Sequence, residues 1–329
     1  MSESPAPPLS LTDAGAPPGV AITAAPPTLT PREPMILLGF RCLQREFGTL
    51  LARQPPRDTP PSVEDVHQMR IATRRLRVAL RLFGHMLPQR QAKHLKRELR
   101  WLARALGGVR DLDVHAESFR DYSRTLTPEQ AQQLGDYELH LRRTRTVARN
   151  ELTAVFTTER YTELVGSFAA LLDGAPSEAA LRRWRSFRIS DGAAEFLKRS
   201  RKRVFRLGRK IGPGAGAKDL HRLRIRAKRL RYGLEFFFEA YPGLAGAAAT
   251  TKSLQDLLGA HQDSCMATER LAAYTQALRR LRQKGVVPQP ALGQWVAWQT
   301  QMGQHARVAF PLEWQRFVLE LKNTPLGVA

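Results

Sequence analysis

The stretch "VHQMRIATRRLRVALRLF" at residues 66–83 decides the fold, because an altered copy of it returns at residues 220–237 as "LHRLRIRAKRLRYGLEFF". Eight of the eighteen aligned positions are identical, among them one His and three Arg. Both copies place apolar residues three or four positions apart, which is the spacing of an amphipathic helix. The chain therefore contains an internal repeat, built on a helix that opens with a histidine and continues with arginines.

The repeat extends past this helix. The segments "ELRWLARALGGVRDLD" at 98–113 and "TKSLQDLLGAHQDSC" at 251–265 follow the two copies, and aligning Leu106 with Leu258 places Asp111 opposite Asp263. We therefore expect two homologous halves, at residues 35–174 and 175–329. Apolar spacing is helical almost throughout, and Pro and Gly cluster at 53–62, 173–177 and 210–219. The pattern predicts an all-α fold of about eight longer helices.

The first 34 residues are rich in Pro and Ala and contain one basic residue. Such a composition buries too little apolar surface to order itself. We predict a disordered tail at residues 1–34 and a folded domain at residues 35–329.

The charge is strongly positive and is concentrated in the repeat. The chain carries 52 Lys and Arg against 30 Asp and Glu, a formal net charge of +22. Residues 67–110 have a net charge of +11 and residues 182–233 a net charge of +16. An excess of this size attracts polyanions such as nucleic acid or phosphate chains.

The basic residues of each copy fall on one helix face. At about 100° per residue, His67, Arg70, Arg74 and Arg77 form a stripe about 80° wide, separate from the apolar stripe. Stacked cations repel one another, so an extended polyanion lying along them explains the pattern better than a solvated face does. The same offsets recur in the second copy at His221, Arg224, Lys228 and Arg231. Further candidate phosphate-binding residues on other helices are Arg97, Arg100, Arg104, Arg145, Arg199, Arg203, Arg206 and Lys210.

Catalytic and metal-binding patterns are missing from the sequence. Asp111 and Asp263 are expected to hold arginines in place rather than to act as bases. The histidines lack the spacing of a metal site, and no Walker loop, nucleophile elbow or Rossmann fingerprint is present. We predict a binding protein without metal or cofactor, and a metal-dependent phosphohydrolase is the least favoured alternative.

Several features predict a cytoplasmic protein. Cys42 and Cys265 show no disulfide pattern, no run of 18 apolar residues suggests a membrane helix, and the N-terminus does not look like a signal peptide. We expect no association with membranes, and the sequence does not identify protein partners.

The four segments quoted above resemble the CHAD family, named for a conserved histidine α-helical domain, and the resemblance covers Met35 to about Phe317. It implies two antiparallel four-helix bundles related by internal pseudo-twofold symmetry around a basic central cavity. It also implies binding of inorganic polyphosphate and association with polyphosphate granules. His67 and His221 match the motif histidines, and the basic residues after each His match the motif's basic positions. Gln262 stands where the first half has Arg110, and no CYTH-type ExExK strand is present, so we expect a stand-alone member.

A nucleic-acid-binding protein remains the second interpretation, because DNA and RNA present the same phosphate charge. The basic stripes lack the interleaved aromatic residues on which bases would stack. Phe83 and Phe237 fall on apolar faces and are expected in the core. Inorganic polyphosphate is therefore the preferred partner.

Overall fold

The computed structural model describes residues 28–212, 214–282 and 290–324. Within these residues the fold is entirely helical, without a β-strand, which confirms the all-α prediction. Eight of the described helices have 18 residues or more. The helices are α1 (Met35–Ala52), α2 (Val63–Phe83), α3 (Gln89–Ser123), α4 (Pro128–Gln132), α5 (Gly135–Phe156), α6 (Glu159–Leu172), α7 (Glu178–Trp184), α8 (Ile189–Gly208), α9 (Ala217–Phe236), α10 (Ala245–Arg282) and α11 (Pro290–Asn323).

Helices α2 and α9 are the two copies of the repeated segment. Helix α2 begins at a Ser62 cap, whose hydroxyl accepts a hydrogen bond from the Asp65 backbone N–H at 3.0 Å. Asp65 and, in α9, Asp219 lie in the first turn, where the helix dipole favours acids. The predicted apolar stripes of both copies are at most 1% exposed: Met69, Leu76, Leu80, Phe83, Leu223, Leu230, Leu234 and Phe237.

The helices pack in the same order in the two halves of the chain. Helix α1 packs on α2, α2 on α3 and α3 on α5, and in the same way α8 packs on α9, α9 on α10 and α10 on α11. The halves meet where α2 contacts α9 and α1 contacts α8. This order agrees with the repeat, while the exact two-bundle symmetry stays a prediction.

A half-buried arginine connects three helices where the halves meet. Arg75 of α2 forms ion pairs with Glu46 of α1, at 2.8 Å, and with Glu235 of α9. Its guanidinium also lies 5.6 Å from the ring centroid of Tyr232 and 5.4 Å from that of Phe236. The apolar faces and this ion network together hold α2 against α9 in a defined orientation.

The folded part of the chain begins before the boundary that composition suggests. Leu29 is 3% exposed, and its backbone N–H donates a hydrogen bond to Glu239 at 2.9 Å. The backbone around Pro34 pairs with the segment that leads into α8. Residues 28–34 are therefore packed against the second half, and the rest of the predicted tail lies outside the described residues.

A second, smaller core surrounds Trp295 of α11, which is fully buried. It packs against Phe119 and Tyr122 of α3 and Tyr137 of α5. Trp298 borders this cluster and Trp314 borders the main core, and both are partly buried. None of the helices in the described part of the chain has the length and apolarity to cross a membrane.

Candidate functional site

A cavity of about 530 Å³ lies between the two repeated helices, with α3 along one side. Nine Lys and Arg side chains and one His line it, and among the described residues no acid does. The cationic and His lining consists of Arg70, Arg74, Arg77 and Arg81 from α2, Lys96 and Arg100 from α3, and His221, Arg224, Lys228 and Arg229 from α9. The two predicted ladders therefore face one common space.

Two of these arginines are held by aspartates at equivalent positions of the repeat. Arg70 donates a hydrogen bond to Asp111 at 2.6 Å, and Arg224 approaches Asp263 at 3.8 Å. The first contact is the charge-assisted hydrogen bond expected of these aspartates, and the second is an ion pair without a hydrogen bond. A guanidinium has five N–H donors, so each arginine keeps further donors for a ligand. One of them, Arg224 Nε, is buried and lacks a hydrogen-bond partner within the described residues.

Three other basic residues of the ladders form no ion pair among the described residues. Arg74, Arg77 and Lys228 form no ion pair or hydrogen bond with any side chain in the part of the chain that the structure describes. Burial, together with Arg74 and Arg224 close by, lowers the pKa of Lys228 to about 6. Burial and the neighbouring Arg100 lower the pKa of Arg77 as well. A polyanion entering the cavity would relieve this repulsion.

The two motif histidines occupy different environments. His221 lines the cavity, and its Nδ1 lies 2.8 Å from Gln262 Oε1. His67 lies near Arg110, outside the lining, and burial followed by that positive charge lowers its pKa, as expected for a His within an arginine ladder. The Gln262 substitution thus gives His221 a neutral partner where His67 has a cationic neighbour.

Four predicted arginines on α3, α5 and α9 also lie away from the cavity lining. Arg97 pairs with the buried Glu98 at 2.5 Å, and Arg104 is exposed on α3. Arg145 pairs with the buried Asp113 at 2.8 Å. Arg231 lies 3.5 Å from Glu235 and 4.7 Å from the centroid of the Tyr232 ring. Glu98, Asp113 and Glu235 thus pair with three arginines that the helical spacing had assigned to phosphate.

The basic stripe of α8 forms a separate surface. Arg199, Arg203 and Arg206 border a shallow depression together with Lys202. Lys210 follows the helix and is exposed. Arg199 pairs with Glu195 at 2.5 Å. This surface lies outside the cavity between α2 and α9.

Three cations of the lining were not predicted. Arg81 and Lys96 continue the stripes of α2 and α3 at three- or four-residue steps, so the periodicity contains a signal for both. Arg229 lies on a different face of α9 from Lys228, and only the packing of the helices places both residues on one cavity. Within the described residues, no group of three or more His, Cys, Asp or Glu side chains is placed to hold a metal ion.

Comparison with known proteins identifies the class to which this helical fold and its cationic cavity belong. The CHAD domain matches residues 41–272, so the chain belongs to the CHAD family. No CYTH domain is indicated.

The relatives in Mycobacterium tuberculosis are longer proteins. "Uncharacterized protein MT2285" of strain CDC 1551 / Oshkosh and "Uncharacterized protein Rv2226" of strain ATCC 25618 / H37Rv are each 30% identical over 211 residues. The matched segment is 63% of this chain but only 39% of each relative's length.

Solved structures share the fold. The CHAD domain from the plant Ricinus communis superposes with a TM-score of 0.61 at 21% identity, over 90% of this chain and 94% of that one. PptA from Streptomyces chartreusis gives a TM-score of 0.62 at 18% identity, over 86% and 99% of the two chains. At these identities the comparison establishes the helical architecture.

Proposed function

We propose that the protein binds inorganic polyphosphate in the cavity between α2 and α9. The observation that carries the proposal is a lining of nine Lys and Arg side chains without an acid among the described residues. Guanidinium groups bind phosphate oxygens through two parallel hydrogen bonds, and they stay charged at all physiological pH values. An extended phosphate chain offers such oxygens at every unit, so it can engage both ladders at once.

A bare phosphate chain fits this lining better than a nucleic acid does. The aromatic ring in the described lining, Tyr232, is 2% exposed. The guanidiniums of Arg75 and Arg231 already lie over it. Bases that enter the cavity would therefore find no free ring on which to stack, and stacking is the usual source of affinity for single strands.

The proposal covers binding without catalysis, in the cytoplasm and on polyphosphate granules. Its support is the family resemblance together with the lack of catalytic motifs in the sequence. Incubation of the protein with long-chain polyphosphate should release no phosphate, and a measurable release would favour the phosphohydrolase alternative. A fluorescently labelled protein should concentrate on polyphosphate granules in cells, and a diffuse signal would contradict that part of the proposal.

A competition titration tests the choice of ligand. Labelled long-chain polyphosphate is displaced by unlabelled polyphosphate, duplex DNA or single-stranded RNA at equal phosphate concentration and one fixed, near-physiological salt concentration, since affinities at different salt cannot be compared. We expect only unlabelled polyphosphate to compete well. Equal competition by DNA or RNA would place the nucleic-acid interpretation first.

A further inference from the structure

A second cavity of about 510 Å³ adjoins the cationic cavity. The two share Val78, Arg81 and Arg229 in their linings. The second cavity lies between the end of α2, the first residues of α1, and helices α7, α8 and α9. Its volume falls within the range of about 300–1,000 Å³ that is usual for small-molecule sites.

In the described part of the chain, five arginines and one acid, Glu195, line this second cavity, and Glu195 pairs with Arg199 at 2.5 Å. Arg81, Arg203, Arg226 and Arg229 line it, and none of them forms an ion pair within the described residues. Burial, with Arg81 as the nearest strong positive neighbour, lowers the pKa of Arg229 to about 10. Burial and Arg203 lower the pKa of Arg226. This group of arginines has the properties of an unfilled phosphate site.

Aromatic rings also line the second cavity. Trp184, Phe187, Phe196 and His85 line it. The His85 ring meets Trp184 edge-on at 5.3 Å and Phe187 at 5.9 Å between centroids. These edge-to-face contacts join the rings into an aromatic wall against which a flat ligand can pack. The Ser200 hydroxyl also lines the cavity and can hydrogen-bond the edge of such a ligand.

We propose that the second cavity binds a nucleoside polyphosphate, with the base against the aromatic rings and the phosphates on the arginines that border the cationic cavity. A bare phosphate chain would leave the aromatic rings without a contact. An alkyl phosphate would offer no hydrogen-bond partner to the Ser200 hydroxyl, whereas the edge of a base can supply one. The proposal stands apart from polyphosphate binding, since Trp184, Phe187, Phe196 and Arg226 lie outside the first cavity.

Calorimetric titration of the full chain with ATP, inorganic tripolyphosphate and adenosine, without divalent ions and at fixed salt, tests the proposal. ATP should bind at least about fivefold more tightly than tripolyphosphate. This ratio corresponds to the lower end of the free energy that stacking of one base on an aromatic ring contributes. Adenosine should bind far more weakly than ATP. AMP should also bind more tightly than decyl phosphate. Equal binding of ATP and tripolyphosphate would overturn the proposal, and so would tighter binding of decyl phosphate.

Two variants locate the site. Trp184→Ala should remove the preference for ATP and keep the affinity for tripolyphosphate, whereas the matched Trp298→Phe change in the distant cluster should alter neither. Arg226→Met should weaken ATP at least about fivefold and leave long-chain polyphosphate binding nearly unchanged. Arg226→Met is an independent test of the site if Trp184→Ala fails to fold. An ATP preference retained in Arg226→Met, or in folded Trp184→Ala, would refute the assignment. If the unchanged protein failed to bind polyphosphate but still preferred ATP, the result would count against the proposed function only.

Discussion

Replacing Arg74 and Arg77 together by alanine should weaken polyphosphate binding about a hundredfold without destabilising the fold. Both residues line the cavity, and neither has a counter-charge within the described residues. Arg70 is left in place, because its removal would free Asp111, now 2.6 Å away, to repel the phosphate chain. The double change therefore removes only cations that have no ion-pair partner among the described residues.

The magnitude follows from the hydrogen bonds that the two arginines would make to phosphate. A hydrogen bond to a charged group contributes roughly 1.5–3 kcal/mol. Removing two of them costs about 3 kcal/mol at the lower end, which corresponds to a roughly hundredfold change in Kd. The slope of log affinity against log salt concentration should also become shallower by about 0.7 for each phosphate that the variant no longer neutralises, as for single-stranded nucleic acids.

The assay is a titration with long-chain polyphosphate at several salt concentrations, accompanied by thermal unfolding. The matched control is Arg142→Ala with Arg143→Ala, which removes the same charge from exposed positions on α5. Because exposed charges are screened beyond about 8 Å at physiological salt, the control should lose less than about threefold. Thermal unfolding of the cavity variant should occur at an equal or higher temperature, since like-charge repulsion is relieved.

Two results would refute the reasoning. If the control variant lost as much affinity as the cavity variant, binding would depend on net charge rather than on the cavity. If the cavity variant bound polyphosphate as tightly as the unchanged protein, the ladders would not contact the chain at all.

Three further predictions concern the same region. Bound polyphosphate should raise the pKa of Lys228 from about 6, so binding takes up a proton and affinity should fall by up to about tenfold per pH unit above pH 6. Kd values at pH 6, 7 and 8 measure this slope, which should be shallower in Lys228→Met, and an unchanged slope would contradict the assignment. Arg75→Ala should lower the free energy of unfolding by about 1.5–3 kcal/mol, because Glu46 and Glu235 each lose one charged hydrogen-bond donor and keep only a second arginine, Arg45 and Arg231 respectively; urea denaturation measures this, and a loss below about 1 kcal/mol would contradict it. Ser62→Ala should lower the free energy of unfolding by about 1 kcal/mol, because the cap of α2 is removed. Urea denaturation measures this as well, and an unchanged free energy of unfolding would contradict the prediction.

Much of this protein follows from the periodicity of its repeated segment. The apolar stripe of α2, with Met69, Leu76 and Leu80, is buried as the three- and four-residue spacing requires. Helical spacing also places Arg70, Arg74 and Arg77 on one face, because a helix turns about 100° per residue whatever packs against it. Local geometry alone determines both results.

Which basic residues line the cavity depends on acidic partners that are distant in sequence. Arg77 and Arg231 occupy the same position of the repeat, yet only Arg77 lines the cavity. One turn later the first copy has Arg81, whereas the second has Glu235, which pairs with Arg231 and Arg75. Arg97 and Arg145 likewise face buried acids instead of the cavity.

The sequence alone determined the helices, the repeat and a pair of cationic faces, because these depend on residues three or four apart. Only the tertiary structure decided that the faces of α2 and α9 share one cavity, that Arg229 joins it, and that an aromatic cavity adjoins it. The physical reason is that a cation is neutralised by whichever carboxylate the packing brings within reach. That pairing depends on distances between helices, which helical periodicity does not contain.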